Sequence, residues 1–142
     1  MNERFRAIRY RLPGVEDTLD GGGLSADPQG RLSMVSGDAS VRQALLMLFS
    51  TMRGERVGRP TYGTDLHTLA FAPNDETTSG LAMHLVRSAV REWEPRVEVV
   101  RVHAERPPEH DGTLEISLEY RVKREERIQA LTFSLDLSEG RL

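Results

Sequence analysis

The feature that most constrains this chain is a change of hydrophobic period at a single proline. From about residue 74 to Trp93, apolar residues recur at helical spacing; from Val97 they recur at every second position. Between the two patterns lies Glu94-Pro95-Arg96. The proline ring removes a backbone donor and drives the residue before it out of helical dihedral space, so a helix must stop and a strand begin here. The charges at the junction are less expected. A carboxylate at a helix C-terminus faces the negative end of the macrodipole, at a cost of about 0.3–1 kcal/mol. Two readings of Glu94 stay open: a solvated side chain beside Arg91, or a group presented together with Arg96 to a partner on a rigid corner.

The patterns on either side predict the main elements. The helix before the junction starts at Asn74 or Asp75, either a good N-cap, and Leu81, Leu85, Ala89 and Trp93 line a face that Ala82, Val86 and Val90 widen. After it come three strands, over 97–105 (Val100, Val102 and Ala104 on one face), 114–122 and 128–137. Turn signals at Asp111-Gly112 and a charged turn over 124–127 join them. An earlier helix over 38–52 carries the stripe Val41, Ala44, Leu45, Leu48, Phe49 and Met52. Ser40 and Gln43 have capping-box spacing, Asp38 is an alternative cap, and Gly54 is placed as a C′ residue. Residues 54–71 read as an ordered loop in which Gly54, Gly58, Pro60 and Gly63 set the turns. Tyr62 and Leu66 tuck under the helices, and Leu69 and Phe71 close the stretch apolar. The fold class is therefore α+β: two main helices packed on one face of a C-terminal three-stranded antiparallel β-meander, with an extended N-terminal arm. The division is 1–37 for the arm and its loop and 38–142 for the folded domain.

The arm has its own character. Arg4, Arg6, Arg9 and Arg11 alternate with Phe5, Ile8 and Tyr10, which reads either as a segment laid on its own fold or as a docking arm using Arg4, Arg6 and Arg9. Residues 13–37 are rich in Gly, Asp, Ser and Pro, with turn signals at 21–23 and at Asp27-Pro28-Gln29-Gly30. They read as a long loop with a short strand near 31–35, reaching along a neighbour.

Composition narrows the chemistry. A chain of 142 residues is one domain, and its net charge of −3 argues against a dedicated nucleic-acid binder. The absence of cysteine excludes disulfides and thiolate metal sites. The longest apolar run, 44–49, is far short of the roughly 20 residues of a membrane span, and residues 1–10 lack the apolar stretch of a secretory signal. His67, His84, His103 and His110 show no metal-ligand spacing, the single lysine Lys123 is in no phosphate-binding loop, and no nucleophile elbow occurs. Glu55, Asp65 and Glu94 are the carboxylates that a glycosidase reading would nominate, with nothing in the pattern to single out one of them. The expectation is no cofactor, no metal and no catalysis. What the pattern does offer is a long, regular last strand without proline at a sheet edge, open to strand addition or covered by the protein's own arm.

Gly54-Glu55-Arg56, Arg59-Pro60-Thr61-Tyr62-Gly63, Leu66, Phe71, Glu94-Pro95-Arg96 and Tyr120-Arg121-Val122, in that order, resemble the small baseplate wedge family of contractile tails. This is the sheath initiator of contractile phages, with relatives in type VI secretion, pyocin-like particles and extracellular contractile injection systems. The resemblance covers about 38–137. It implies a structural, non-enzymatic protein assembled in the bacterial cytoplasm, then held in the baseplate in sixfold copies. Glu94, Pro95 and Arg96 would contact the core bundle of larger wedge proteins. Ile128, Ala130, Thr132, Phe133, Ser134 and Leu135 would receive a strand from sheath subunits. Inner tube or hub proteins are further candidate partners, without nucleic acid or membrane insertion. Some members carry a lysozyme label, which makes a muralytic enzyme the alternative.

Overall fold

Two helices and a three-stranded antiparallel sheet form the α+β frame that the two hydrophobic periods predict. The computed structural model describes residues 5–12 and 22–142. Contacts group the chain into two units, Met1–Met47 and Leu48–Leu142, with the boundary inside the first helix.

In the first unit, strands β1 (Arg6–Ile8), β2 (Tyr10–Arg11), β3 (Gly23–Leu24) and β4 (Met34–Ser36) precede helix α1 (Gly37–Ser50). Residues 13–21 of the segment read as a long loop, with the start of the 21–23 turn signal, lie outside the described residues; residues 22–36 form a hairpin. Its turn is the predicted one: the Asp27 carboxylate accepts the N–H groups of Gln29 and Arg31, and Gly30 takes φ +78°. The arm pairs antiparallel across this hairpin, β1 with β4 and β2 with β3. The capping box is not formed, because α1 begins at Gly37 and Ser40 lies inside it. Gln43 instead accepts the Tyr10 N–H at 2.9 Å and donates to the Ile8 carbonyl at 2.8 Å, satisfying arm backbone that no strand reaches.

The second unit holds the end of α1, a short 3-10 helix (Leu66–Leu69), helix α2 (Glu76–Trp93) and strands β5 (Val97–Glu105), β6 (Thr113–Val122) and β7 (Ile128–Asp136). Asp75 is the α2 cap and accepts the Thr78 N–H at 2.9 Å; that bond holds its carboxyl below the usual value. Asn74 is used differently, donating to the carbonyls of Asp111 and Thr113 and tying the helix start to the β5–β6 loop. The buried face of α2 is Thr78, Ala82, Val86, Ala89 and Val90. Leu81 is exposed, so the face is rotated from the predicted one toward small residues, which let the helix lie close to β5. No described helix is long and apolar enough to cross a membrane.

The sheet order is β5-β6-β7, a meander with β6 central. Leu114, Ile116, Leu118, Tyr120 and Val122 face the core, each side chain contributing about 1.5–3 kcal/mol by burial. The buried Tyr120 hydroxyl donates to Gln129. Val100 does not share the face of Val102 and Ala104, as period two predicts; it is 44% exposed. The register slips between Val99 and Arg101, so Val97 and Val99 face inward before the bulge and Val102 and Ala104 after it.

Candidate functional site

The Glu94-Pro95-Arg96 corner is held from three sides. The Glu94 N–H closes the last helical turn on the Val90 carbonyl, and the Val97 N–H returns to the Glu94 carbonyl. The Arg96 carbonyl accepts the Lys123 N–H, fixing the corner to the end of β6. The reading of Glu94 as a solvated side chain beside Arg91 does not hold. The residue is only 6% exposed, and both oxygens are taken by Arg96, Nε at 2.6 Å and Nη2 at 2.7 Å. It is not solvated; its charge is turned onto Arg96 within the corner. The bidentate guanidinium offsets both the unfavourable end of the helix dipole and the burial, and the Glu94 bond raises the Arg96 pKa against the opposing effect of desolvation. Pro95 is exposed and Arg96 half-buried, so these two form the accessible part of the corner. Glu94→Gln keeps the shape but removes one charge-assisted bond. It is expected to lower stability by about 1–2 kcal/mol, read from urea unfolding, with little further loss on adding Arg96→Gln.

A second segment packs beside the corner. Residues 51–64 are stitched by the pairs Thr64 N–H to Thr51 C=O, Arg53 N–H to Thr64 C=O and Gly54 N–H to Pro60 C=O. Gly54 has φ +88°, but α1 has already ended at Ser50, so it serves this loop and not a helix cap. The Tyr62 ring meets Trp93 edge-on at 5.3 Å, and the Arg56 guanidinium lies 4.6 Å above it. Burial pushes the Tyr62 phenol up, Arg56 draws it down, and nearby Glu94 adds to the rise. Arg53 bridges Glu92 at 3.2 Å and Asp65 at 3.6 Å. The loop and corner thus make one ordered surface of arginines, Tyr62 and Pro95. The sequence marks Tyr62 as an anchor but gives no sign of the Arg56–Tyr62–Trp93 stack, which joins residues far apart along the chain.

Phe71 is the opposite of an anchor: it is 85% exposed. Its N–H donates to the Leu137 carbonyl at 2.6 Å, and the backbone takes φ +62°, which turns the ring outward.

The β7 edge can be read residue by residue. The Asp136 N–H bonds to the Arg141 carbonyl, away from β6, and backbone direction alternates along an antiparallel strand. The backbone groups of Ile128, Ala130, Thr132 and Ser134 therefore point away from β6. Phe133 and Leu135 have the other parity: their side chains are buried and their backbone faces β6. In the arm, Arg6 and Arg9 are exposed; Arg4 lies outside the described residues.

The carboxylates of the glycosidase reading are each engaged. Glu55 accepts the Met52 N–H, Asp65 faces Arg53, and Glu94 is held by Arg96. Among the described residues no group of three or more His, Asp or Glu could hold a metal ion.

The family model described as baseplate wedge protein gp25 matches residues 35–127, which takes in the loop, the corner and the first two strands of the meander. Baseplate wedge protein gp25 of Enterobacteria phage T4 is 30% identical over 83 residues, 58% of this chain and 62% of that protein, so the chain spans just under two thirds of this relative's length. A crystal structure of a candidate tail lysozyme from Geobacter sulfurreducens is similar with a TM-score of 0.66 and 34% identity, over 74% of this chain and 96% of that one. A chain of the anti-feeding prophage baseplate, a 6-fold symmetrised cryo-EM structure, has a TM-score of 0.58 over 81% of this chain and 80% of its own. At 21% identity that likeness is one of fold. The family match covers well over half of the sequence and includes both segments of the ordered surface; the chain belongs to the baseplate wedge protein gp25 family.

Proposed function

We propose that the protein is a structural, non-enzymatic component of a contractile-tail baseplate. It docks on larger wedge proteins through Pro95 and Arg96, with Glu94 as the positioning residue, and offers β7 to a strand of the first sheath subunits. Six copies around the tail, assembly in the bacterial cytoplasm, and inner tube or hub proteins as neighbours belong to the same reading. Family membership supports the baseplate role. The observation that carries strand addition is the contrast between the two sheet edges. The β5 edge is interrupted by a bulge, whereas β7 pairs in unbroken register from Ile128 to Asp136 and directs the backbone of Ile128, Thr132 and Ser134 outward.

Thr132→Pro tests it. The lost N–H points away from β6 and is no rung of the β6–β7 ladder, so proline is tolerated there as on other edge strands. The expected result is a folded protein that enters baseplates on which no sheath grows, scored by electron microscopy of particles. Sheaths of normal length would overturn strand addition. Wall hydrolysis is the second reading, favoured by the description of the Geobacter relative. Peptidoglycan release by the purified protein, lost in Glu94→Gln and kept in Glu109→Gln, would replace the structural reading.

A further inference from the structure

The first unit carries a basic concavity that the baseplate reading does not use. Its residues precede position 35, where the family match begins. The pairing of the arm across the hairpin brings Arg6, Arg9, Arg11 and Arg31 around one depression of about 630 Å³, with Ser25 and Asp27 also in its wall. Arg31 is paired, at 3.1 Å to Asp27. Asp27 has its other oxygen on the N–H groups of Gln29 and Arg31, so the one acid among the described lining residues is committed to the turn. Among the described residues, Arg6, Arg9 and Arg11 make no ion pair. The Ser25 Oγ is buried with no hydrogen-bond partner. Leu32 and Met34 also line it while remaining 49% and 44% exposed. Clustered cations repel one another, and a buried hydroxyl without a partner costs free energy; both are relieved by an arriving oxygen acceptor.

We infer that this concavity is a docking site for an acidic segment of another polypeptide, one carrying two or three carboxylates interleaved with apolar side chains. The guanidinium groups suit carboxylates as bidentate partners, and Leu32 and Met34 suit the residues between them. Nucleic acid fits less well. No aromatic ring lines the depression to stack a base, and the chain as a whole carries a net charge of −3. The inference does not depend on strand addition at β7, which lies in the other unit.

The test uses the full chain and a fluorescein-labelled peptide of about ten residues alternating Glu and Leu, titrated by anisotropy at low and at moderate salt. Binding is expected, weakening as salt rises, with no binding of the same peptide carrying Lys for Glu. Arg6→Glu with Arg9→Glu should weaken it at least about tenfold, and Arg106→Glu, in the other unit, should leave it unchanged. Both arm side chains are exposed, Arg6 pairs through the β1 backbone and Arg9 through its N–H to the Ser33 carbonyl, so circular dichroism should be unaltered. If the charge reversal perturbs the fold, Arg6→Gln with Arg9→Gln is the second variant, expected to weaken binding about threefold. Equal peptide affinity in a folded arm variant would overturn the inference. So would a single-stranded oligonucleotide of matched charge that binds more tightly than the peptide and is lost in the same variants.

Discussion

Gly63→Ala is expected to destabilise the protein by about 3 kcal/mol, measured as a fall in the urea midpoint at unchanged slope. Gly63 has φ +122°, a conformation closed to side chains, and a Cβ built there would lie 2.5 Å from the Thr51 carbonyl oxygen. That oxygen cannot move aside, because it accepts the Thr64 N–H at 2.9 Å, one of the bonds that shape residues 51–64. Strain and displacement therefore act on one spot, and the Tyr62 next to it would lose its place against Trp93. A substitution at Gly58, where an added Cβ meets nothing within 4 Å, is the matched control.

The second large effect is expected at Phe133. Its ring stacks on Phe49 with centroids 4.8 Å apart and planes 20° from parallel, joining the last turn of α1 to the middle of β7. Both residues are buried. Phe133→Ala should cost about 3–5 kcal/mol through lost burial and the cavity left in the core. The stack itself should appear in a double-mutant cycle with Phe49→Ala as a coupling of about 1 kcal/mol. Independent losses at the two positions would mean that the rings share only a cavity.

How far the sequence carried the structure depended on the range of the forces involved. Pro95 ended its helix, Asp75 capped it, Asp27 built its turn and β6 alternated in and out, because each is decided by neighbours in the chain. The bulge beside Val100 was hidden because no glycine or proline marks it; only the pairing partner reveals that the parity has changed. The arm strands were hidden for a related reason: Ile8 meets Met34 and Tyr10 meets Leu24, partners brought together by a hairpin that composition alone made look like a loop. Gln43 has capping spacing and a different occupation, since the arm backbone competed for its amide. At the candidate site the three residues of the corner were legible, but their chemistry was not. Two charges two positions apart cannot face each other on a helix; only the non-helical turn after Glu94 brings Arg96 back onto it.

The unequal edges of the sheet also govern what copies of this protein can do to one another. Edge-to-edge growth without limit needs two competent sides, one to receive and one to offer. With β5 interrupted by its bulge and β7 regular, pairing between copies favours β7 with β7, and such a contact closes on itself at two molecules. A sheet with one regular edge is thereby kept from seeding a fibre.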